Sequence, residues 1–246
     1  MFFFKKKKNL PPLDLSWLGT DMHSHLIPEI DDGANDMATS LQLIKGLIDL
    51  GYKKLITTPH VLWEIYPNTT EIINKGLGEL KAAIVKEGLN VDIHAAAEYF
   101  IDDHFEEELR KKTPLLYVNG NMVLVEFSMV TAPFDLQKVI FELQMQEYQP
   151  VLAHPERYTY FIRNKSVLED LKTAGCMFQI NLLSLTGYYG RSVLELAEYL
   201  MDHDFYELAG TDLHHPHHLE ALQKLVSSPL YTRLKDSGKI HNSSLL

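Results

Sequence analysis

Near its N-terminus the chain reads DMHSHLIPEIDDG over residues 21–33. This stretch favours a β-strand followed by a turn, and two histidines two positions apart on a strand, His23 and His25, point to the same face. Both imidazoles are then able to bind one metal ion. Asp32 precedes the turn residue Gly33, so its carboxylate is placed to fold back over the end of the strand. The stretch therefore predicts a strand whose carboxyl end carries metal ligands.

The same arrangement recurs along the chain, where short apolar runs alternate with amphipathic segments. We predict further strands that end within residues 55–58, 93–98, 122–127, 150–154, 177–182 and 207–212. Helical spacing of apolar residues predicts helices over residues 37–50, about 70–87, 136–148, 167–174 and 192–203. The first helix is expected to begin at an Asn35 or Asp36 cap and to end at Gly51. Seven strand–helix alternations predict an α/β fold, a parallel TIM-like barrel with its active site at the carboxyl ends of the strands.

Residue types that bind divalent metals follow the predicted strands. The candidate ligands are His23, His25, Asp32, His60, Glu98, Glu126, His154, Asp212 and His214. A carboxylate at the inner end of an apolar run is costly without a partner. Glu98 and Glu126 therefore indicate ligation of a cation, with a buried salt bridge or a hydrogen-bonded core carboxylate as the alternative. Nitrogen and oxygen donors without thiolate favour Mn²⁺, Fe or Zn²⁺ over a structural cysteine–zinc site.

The composition excludes several classes of protein. The chain has 246 residues, of which 46% are hydrophobic, and 23 basic against 33 acidic side chains give a formal charge of −10. This charge argues against nucleic-acid binding, but a phosphorylated substrate is compatible because bound metals reverse the local sign. The one cysteine, Cys176, is expected to be a small core residue and fits a cytoplasmic location. No apolar run approaches the roughly 18 residues of a membrane span.

Residues 1–15 are predicted to form a flexible N-terminal arm, and residues 16–246 a single domain. The arm contains three phenylalanines at positions 2–4 and four lysines at positions 5–8. It lacks the apolar stretch after its charges that a secretory signal requires. The arm is either a solvated tail or a segment that contacts an anionic membrane surface transiently.

The motifs together resemble the polymerase-and-histidinol-phosphatase (PHP) superfamily, and within it the bacterial protein-tyrosine phosphatases of capsule and exopolysaccharide operons. The resemblance extends from Asp21 to about His218, and it is carried by residues 21–34, 57–60, 97–99, 125–127, 152–158, 184–187 and 211–214. It implies a PHP-like domain with a distorted seven-stranded α/β barrel and three divalent metal ions. Mn²⁺ is the expected metal, and Fe or Zn²⁺ is the alternative.

The resemblance also implies which residues bind each ion. The first ion would be held by His23, His25, Glu98 and Asp212, the second by Glu98, Glu126 and His154, and the third by Asp32, His60 and His214. Arg157 is the candidate catalytic residue, because a planar guanidinium suits bidentate contact with phosphate oxygens. The alternative for Arg157 is a surface ion pair with Glu156 or another acid.

Two departures from the family pattern concern the substrate contacts. Many members carry an arginine after the Ser-Leu-Thr-Gly block, where this chain has Tyr188 and Tyr189. Many also carry an arginine soon after the final Asp-x-His, where this chain has further histidines. The candidates to replace that arginine are His215, His217 and His218, and the alternative is a solvated loop.

Three further side chains are candidates for supporting roles. Trp63 and Tyr66 follow His60, and they either form an aromatic rim for a phenyl phosphate or pack as ordinary loop aromatics. Asp21 shares the strand parity of His23 and is a candidate to orient its ring.

The resemblance implies a cytoplasmic, metal-dependent protein-tyrosine phosphatase that hydrolyses phosphotyrosine through a metal-bridging hydroxide. The implied substrate is a membrane-associated bacterial tyrosine kinase of polysaccharide export. Two alternatives stay open: a small-molecule phosphomonoesterase such as a histidinol phosphatase on the same metal site, and a non-catalytic metal-binding scaffold. The nine candidate ligands favour an enzyme, because binding alone does not require an open multinuclear site.

Overall fold

The computed structural model describes residues 11–133 and 135–246. In this part of the chain the strands are β1 (Thr20–Asp21), β2 (Lys54–Thr57), β3 (His60–Val61), β4 (Asp92–Ala95), β5 (Glu98–Phe100), β6 (Met122–Glu126), β7 (Gln149–Ala153), β8 (Met177–Asn181) and β9 (Tyr206–Gly210). The α-helices are α1 (Met37–Asp49), α2 (Thr70–Lys86), α3 (Asp103–Lys111), α4 (Leu136–Met145), α5 (Ser166–Thr173), α6 (Arg191–Asp202), α7 (Pro216–Leu222) and α8 (Pro229–Asp236).

The paired strands are parallel throughout the described residues, which confirms the predicted parallel α/β fold. They form two sheets, one in the order β1-β2-β4 and one in the order β3-β5-β6-β7-β8-β9. The described residues thus form nine strands where seven were predicted. The additional strands arise where Thr58 and Pro59 separate β2 from β3, and Ala96 and Ala97 separate β4 from β5. Pro59 has no N–H to donate to a neighbouring strand, so regular pairing stops there.

The first and last strands are joined by the C-terminal segment. The side chain of Asn242 is buried between them, and its Nδ2 donates hydrogen bonds to the carbonyl oxygens of Thr20 and Ala209. Its Oδ1 accepts from the backbone N–H of Ala209 at 2.8 Å. Beyond the strand ends, the N–H of Asp212 donates to the carbonyl of His23 at 2.8 Å. These bonds hold the carboxyl ends of β1 and β9 side by side.

The helices follow the apolar spacing of the sequence. Helix α1 begins after Asp36, whose side chain accepts from the N–H of Thr39 at 2.7 Å, and its apolar face is buried. The chain leaves α1 through Gly51, where φ is +98°, a value that favours glycine. The five predicted helices are confirmed with ends shifted by no more than three residues. Helix α3 was not predicted, because only Phe105 and Leu109 of its nine mainly charged residues are buried.

A core of apolar side chains from strands and helices surrounds the sheets. Cys176 is only 1% exposed and packs in this core, which confirms its prediction as a core residue. Residues 1–10 of the predicted arm lie outside the described residues. Leu13 and Leu15 are buried, and the N–H of Leu15 donates to the carbonyl of Leu50 at 2.8 Å, so packing begins before residue 16. Among the described helices, none has the length and apolar character needed to cross a membrane.

Candidate metal centre

Two histidine rings face each other just beyond the end of β1. His23 and His25 are fully buried, and their Nε2 atoms are 3.3 Å apart. The other ring nitrogen of each is paired: Nδ1 of His23 lies 2.9 Å from Oε1 of Gln179, and Nδ1 of His25 lies 2.8 Å from Oδ2 of Asp31. Since a side-chain carbonyl or a carboxylate oxygen only accepts, both Nδ1 atoms donate. In the neutral rings, both Nε2 atoms then present lone pairs to one another, an arrangement that favours a cation between them.

Two carboxylates complete this first group of donors. Oε2 of Glu98 lies 3.1 Å from Nε2 of His23, and Oδ1 of Asp212 lies 3.3 Å from the same nitrogen. Burial alone lowers the pKa of His23, but Glu98 and Asp212 outweigh it and raise that pKa above its ordinary value. Burial alone raises the pKa of Asp212, but the imidazoles and Arg157 hold it well below its ordinary value. The group therefore favours a positive charge at its centre.

His60 connects two further groups of donors. Its Nδ1 lies 2.9 Å from Oε1 of Glu126 and 3.2 Å from Oε2 of Glu98. Its Nε2 lies 3.3 Å from Oδ1 of Asp32, and Nε2 of His214 lies 3.5 Å from the same oxygen. Nδ1 of His60 is buried without a partner in hydrogen-bond geometry. Such convergence of lone pairs fits ligands of a metal better than a hydrogen-bond network.

The structure brings all nine predicted ligands together. Ligand atoms within 4.8 Å of one another form three groups: His23, His25, Glu98 and Asp212; His25, Asp32, His60 and His214; and His60, Glu98 and Glu126. Nε2 of His154 approaches Glu98 Oε1 to 3.1 Å. The grouping differs from the implied one in three respects: His25 also lies with the Asp32 group, His60 lies beside Glu98 and Glu126, and His154 lies outside the three groups.

Arg157 is held on the far side of Asp212. Its Nη1 donates to Oδ2 of Asp212 at 2.8 Å, and its guanidinium lies 4.5 Å from the centre of the Tyr189 ring. Of the alternative surface ion pairs, the one with Glu156 is absent from the described contacts of Arg157, since Glu156 turns into the core. Arg157 does form an ion pair with another acid, Asp212, but that carboxylate is buried. There Glu156 accepts hydrogen bonds from Asn181 N–H, Ser184 Oγ and Tyr206 OH.

The suggested role of Asp21 is wrong. Its carboxylate accepts from the N–H of Thr211 at 2.9 Å and from the Thr211 hydroxyl at 2.7 Å, whereas Nδ1 of His23 is paired with Gln179. Asp21 therefore connects β1 to the segment after β9 instead of orienting the His23 ring. Sequence reasoning missed Gln179, Asp31 and Asn181. The one available signal for Gln179 was a polar side chain inside an otherwise apolar run.

Six of the nine donors line a cleft of about 340 Å³, and the other three, His23, His25 and Glu98, are fully buried. Its lining includes Asp32, His60, Glu126, Met129, His154, Arg157, Tyr189, Asp212, His214, His215 and His218. Of the three histidines suggested to replace an arginine, His215 and His218 thus border the cleft, and His217 is 82% exposed. Tyr66 stacks on His60 with ring centres 5.7 Å apart, whereas Trp63 stacks on His104 at 3.8 Å. Of the two suggested rim aromatics, Tyr66 is the one that packs against a candidate ligand.

Two tyrosine-protein phosphatases resemble the chain over most of its length. Tyrosine-protein phosphatase YwqE from Bacillus subtilis (strain 168) is 28% identical over 194 residues, which are 79% of this chain and 76% of that protein. Tyrosine-protein phosphatase CpsB from Streptococcus agalactiae is 30% identical over 162 residues, which are 65% of this chain and 66% of that protein.

Solved structures extend the comparison to the fold. A chain from the crystal structures of YwqE from Bacillus subtilis and CpsB from Streptococcus pneumoniae, described as unique metal-dependent tyrosine phosphatases, aligns with a TM-score of 0.76 and 28% identity. The alignment covers 88% of this chain and 91% of that one. The lactonase Lmo2620 from Listeria monocytogenes aligns with a TM-score of 0.55 at 11% identity over 94% of this chain and 92% of that one, which shows a shared fold alone.

A family model described as capsular polysaccharide synthesis, CpsB/CapC, matches residues 19–227. The match includes all nine converging donors and the strands β1 and β9, which the first and last of these donors follow. The chain therefore belongs to the CpsB/CapC family of capsular polysaccharide synthesis proteins.

Proposed function

We propose that this chain is a metal-dependent protein-tyrosine phosphatase. The observation that carries the proposal is the pair of facing Nε2 atoms of His23 and His25, which lie close to the carboxylates of Glu98 and Asp212. Asp212 also lines an open cleft. Buried donors whose other nitrogens are fixed by Gln179 and Asp31 fit a resident cation. The names of the family relatives identify phosphotyrosine as the substrate class.

The nine donors would hold three divalent ions, with Mn²⁺ as the metal we expect. The sets are those implied by the family resemblance: His23, His25, Glu98 and Asp212; Glu98, Glu126 and His154; and Asp32, His60 and His214. Bound there, the ions would supply an activated water and neutralise the charge of the phosphate. The resident side chains form an acidic cleft base, so a phosphate dianion would bind only after the ions.

Arg157 is the residue we assign to the substrate phosphate. One terminal nitrogen holds Asp212, and the rest of its guanidinium borders the cleft, where a phosphate oxygen would accept a hydrogen bond. His215 and His218 border the same cleft and are candidates to contact the leaving group. A tyrosyl phenolate, with a pKa near ~10, leaves with less proton transfer than an alkoxide. Burial raises the pKa of the Cys176 thiol to about 12, which argues against a cysteine nucleophile.

We further propose that the physiological substrate is a membrane-associated tyrosine kinase of polysaccharide export and that the reaction takes place in the cytoplasm. Membership of a capsule-synthesis family supports this assignment. The formal charge of −10 argues against nucleic acid as a partner.

For the fold, we infer that the nine strands occupy seven positions of one distorted parallel barrel that forms a single domain from residue 16 onward. Hydrogen bonds that continue across both strand breaks support this: Ala96 N–H donates to Thr57 O, and Glu98 N–H donates to Pro59 O. The bonds between Asp212 and His23 and between His25 and Leu213 support closure of the last position on the first.

The function is tested by phosphate release from a phosphotyrosine peptide, using metal-stripped protein reloaded with Mn²⁺. We expect metal-dependent turnover that is abolished in His23→Ala together with loss of bound metal. Turnover of histidinol phosphate that exceeds that of the peptide would replace this proposal with a small-molecule phosphatase. Absence of turnover with Mn²⁺, Fe²⁺ and Zn²⁺ on every ester tried would favour a metal-binding scaffold.

A further inference from the structure

A second cavity lies behind the wall that carries the metal centre. Its volume is about 310 Å³, and its lining includes Val61 of β3 and Tyr99 of β5. In the paired register, His60 lies opposite Glu98 and Val61 lies opposite Tyr99. Because successive side chains of a strand point to opposite faces, His60 and Glu98 turn to the metal centre while Val61 and Tyr99 turn to the cavity. The metal centre and the cavity thus lie on opposite sides of strands β3 and β5.

The cavity and the metal centre share an edge of the sheet. Trp63, Asp102 and His104 line the cavity, and they follow the carboxyl ends of β3 and β5. The candidate metal ligands also gather at the carboxyl ends of the strands. A polypeptide bound over the metal centre is therefore able to reach the cavity along this edge. An extended chain advances about 3.3 Å per residue, so four positions on either side of the phosphotyrosine span about 13 Å.

The inner wall of the cavity is apolar. Ile73, Tyr99, Phe105 and Leu115 line it, and all four are at most 7% exposed. Such a wall buries the methylene groups of a long side chain while the charged end stays at the rim. The volume exceeds what a small side chain would fill, so a long or aromatic side chain fits best.

The rim of the cavity is acidic. Glu71, Asp102 and Glu108 line it, and no lysine or arginine does so among the described residues. Asp102 is fixed by hydrogen bonds from the N–H groups of Phe105 and Trp63, and Glu108 lies 3.4 Å from Lys111. Glu71 and Asp102 therefore keep the rim negative. The chain as a whole carries −10, which attracts a basic segment over longer distances.

An aromatic face completes the rim. Trp63 is 44% exposed, and one face of its ring stacks on His104 with centres 3.8 Å apart. The hydrogen bond from the backbone N–H of Trp63 to Asp102 Oδ2 holds this loop against the start of α3. A tryptophan face beside carboxylates is a favourable place for a lysine or arginine head group.

We propose that this cavity is a specificity subsite that takes a lysine or arginine side chain of the protein substrate, close in sequence to the phosphotyrosine. The proposal rests on the phosphatase function proposed above and names a feature of its substrates. The apolar wall holds the side-chain stem, and Glu71, Asp102 and the Trp63 ring hold the cationic end.

The test uses metal-loaded full-length protein and phosphotyrosine peptides that differ at one position, scanned from four residues before to four residues after the phosphotyrosine. Each position carries lysine, its neutral analogue norleucine, or phenylalanine. We expect one position at which lysine gives about fivefold higher kcat/KM than norleucine, mainly through KM. Glu71→Gln and Trp63→Leu should each reduce this ratio to less than twofold. Glu79→Gln removes an equal charge from α2 outside the cavity, and it should leave the ratio unchanged.

Three results would overturn the subsite. These are no position with a lysine advantage, an advantage that survives both Glu71→Gln and Trp63→Leu, and a preference for phenylalanine that Trp63→Leu removes. Free phosphotyrosine, which is too short to reach the cavity, reports the reaction alone, so its failure to turn over would count against the proposed function instead. Calorimetric binding of the lysine and norleucine peptides then measures the subsite without turnover.

Discussion

Arg157 donates a hydrogen bond to one oxygen of the Asp212 carboxylate, while the other oxygen lies beside His23. Nη1 of Arg157 donates to Oδ2 of Asp212 at 2.8 Å, and Nδ2 of Asn181 donates to the same oxygen at 2.8 Å. The other oxygen, Oδ1, lies 3.3 Å from Nε2 of His23. Two donors thus satisfy Oδ2, which leaves Oδ1 for a cation. The same guanidinium borders the cleft, so Arg157 both fixes a candidate ligand and faces the substrate.

Arg157→Lys is expected to lower the kcat/KM for a phosphotyrosine peptide at least about tenfold, since lysine keeps the charge but cannot contact Asp212 and a phosphate oxygen with one planar group. Metal content, measured by elemental analysis, should stay close to that of the unchanged protein because Asn181 still holds Oδ2. The exposed Arg163→Lys is the matched control. Equal kinetics for the two variants would mean that Arg157 makes no productive phosphate contact.

Gln179→Leu tests how the His23 ring is oriented. Gln179 is fully buried, and its Oε1 is the partner of Nδ1 of His23 at 2.9 Å. Losing a partner of this kind typically weakens metal affinity by about 10- to 100-fold. We expect that loss in a chelator competition assay. Because leucine leaves the buried Nδ1–H of His23 unpaired, the free energy of unfolding should also fall, by about 1–3 kcal/mol. The exposed Gln137→Leu serves as the control, and an affinity equal in both variants would show that Gln179 does not orient the ring.

Local patterns were sufficient to predict which side chains converge but not which residues hold them in place. Glu98, Glu126 and His154 could be recognised because each ends an apolar run, and parallel strands bring such ends together. Asp31 and Asp32 are adjacent carboxylates, and no local pattern tells which one binds Nδ1 of His25. That choice depends on the fold of the loop after β1.

Contacts between residues far apart in the chain could not be predicted from the sequence. The contacts of Arg157 with Asp212 and of His23 with Gln179 span 55 and 156 positions. The strand breaks have a similar explanation. The break at Pro59 has a sequence signal, whereas the break at Ala96 and Ala97 has none.

Asp21 should make the metal-free protein less stable as the pH rises. Burial raises its pKa from 3.8 to about 7, against the effect of the hydrogen bonds from Thr211. Between these values the folded protein binds more protons than the unfolded chain, so the free energy of unfolding falls with increasing pH. An asparagine in place of Asp21 cannot ionise, and its amide can still pair with the N–H and hydroxyl of Thr211.

In urea unfolding, Asp21→Asn should therefore gain stability relative to the unchanged protein by roughly a few kcal/mol between pH 4 and pH 8. The comparison is made on metal-free samples so that proton binding at the ligands is the same in both proteins. A difference in unfolding free energy that does not change with pH would mean that Asp21 is ionised in the folded state throughout this range.

Asn242→Ala tests the join between the first and last strands. Its buried amide makes three hydrogen bonds, two to carbonyls of Thr20 and Ala209 and one from Ala209 N–H. The truncation leaves these buried groups unpaired, at about 1–3 kcal/mol for each. We expect the free energy of unfolding in urea to fall by at least about 3 kcal/mol. The neighbouring exposed Ser243→Ala should change it by less than about 0.5 kcal/mol. A similarly small change in Asn242→Ala would show that water replaces the amide and that the strands hold together without it.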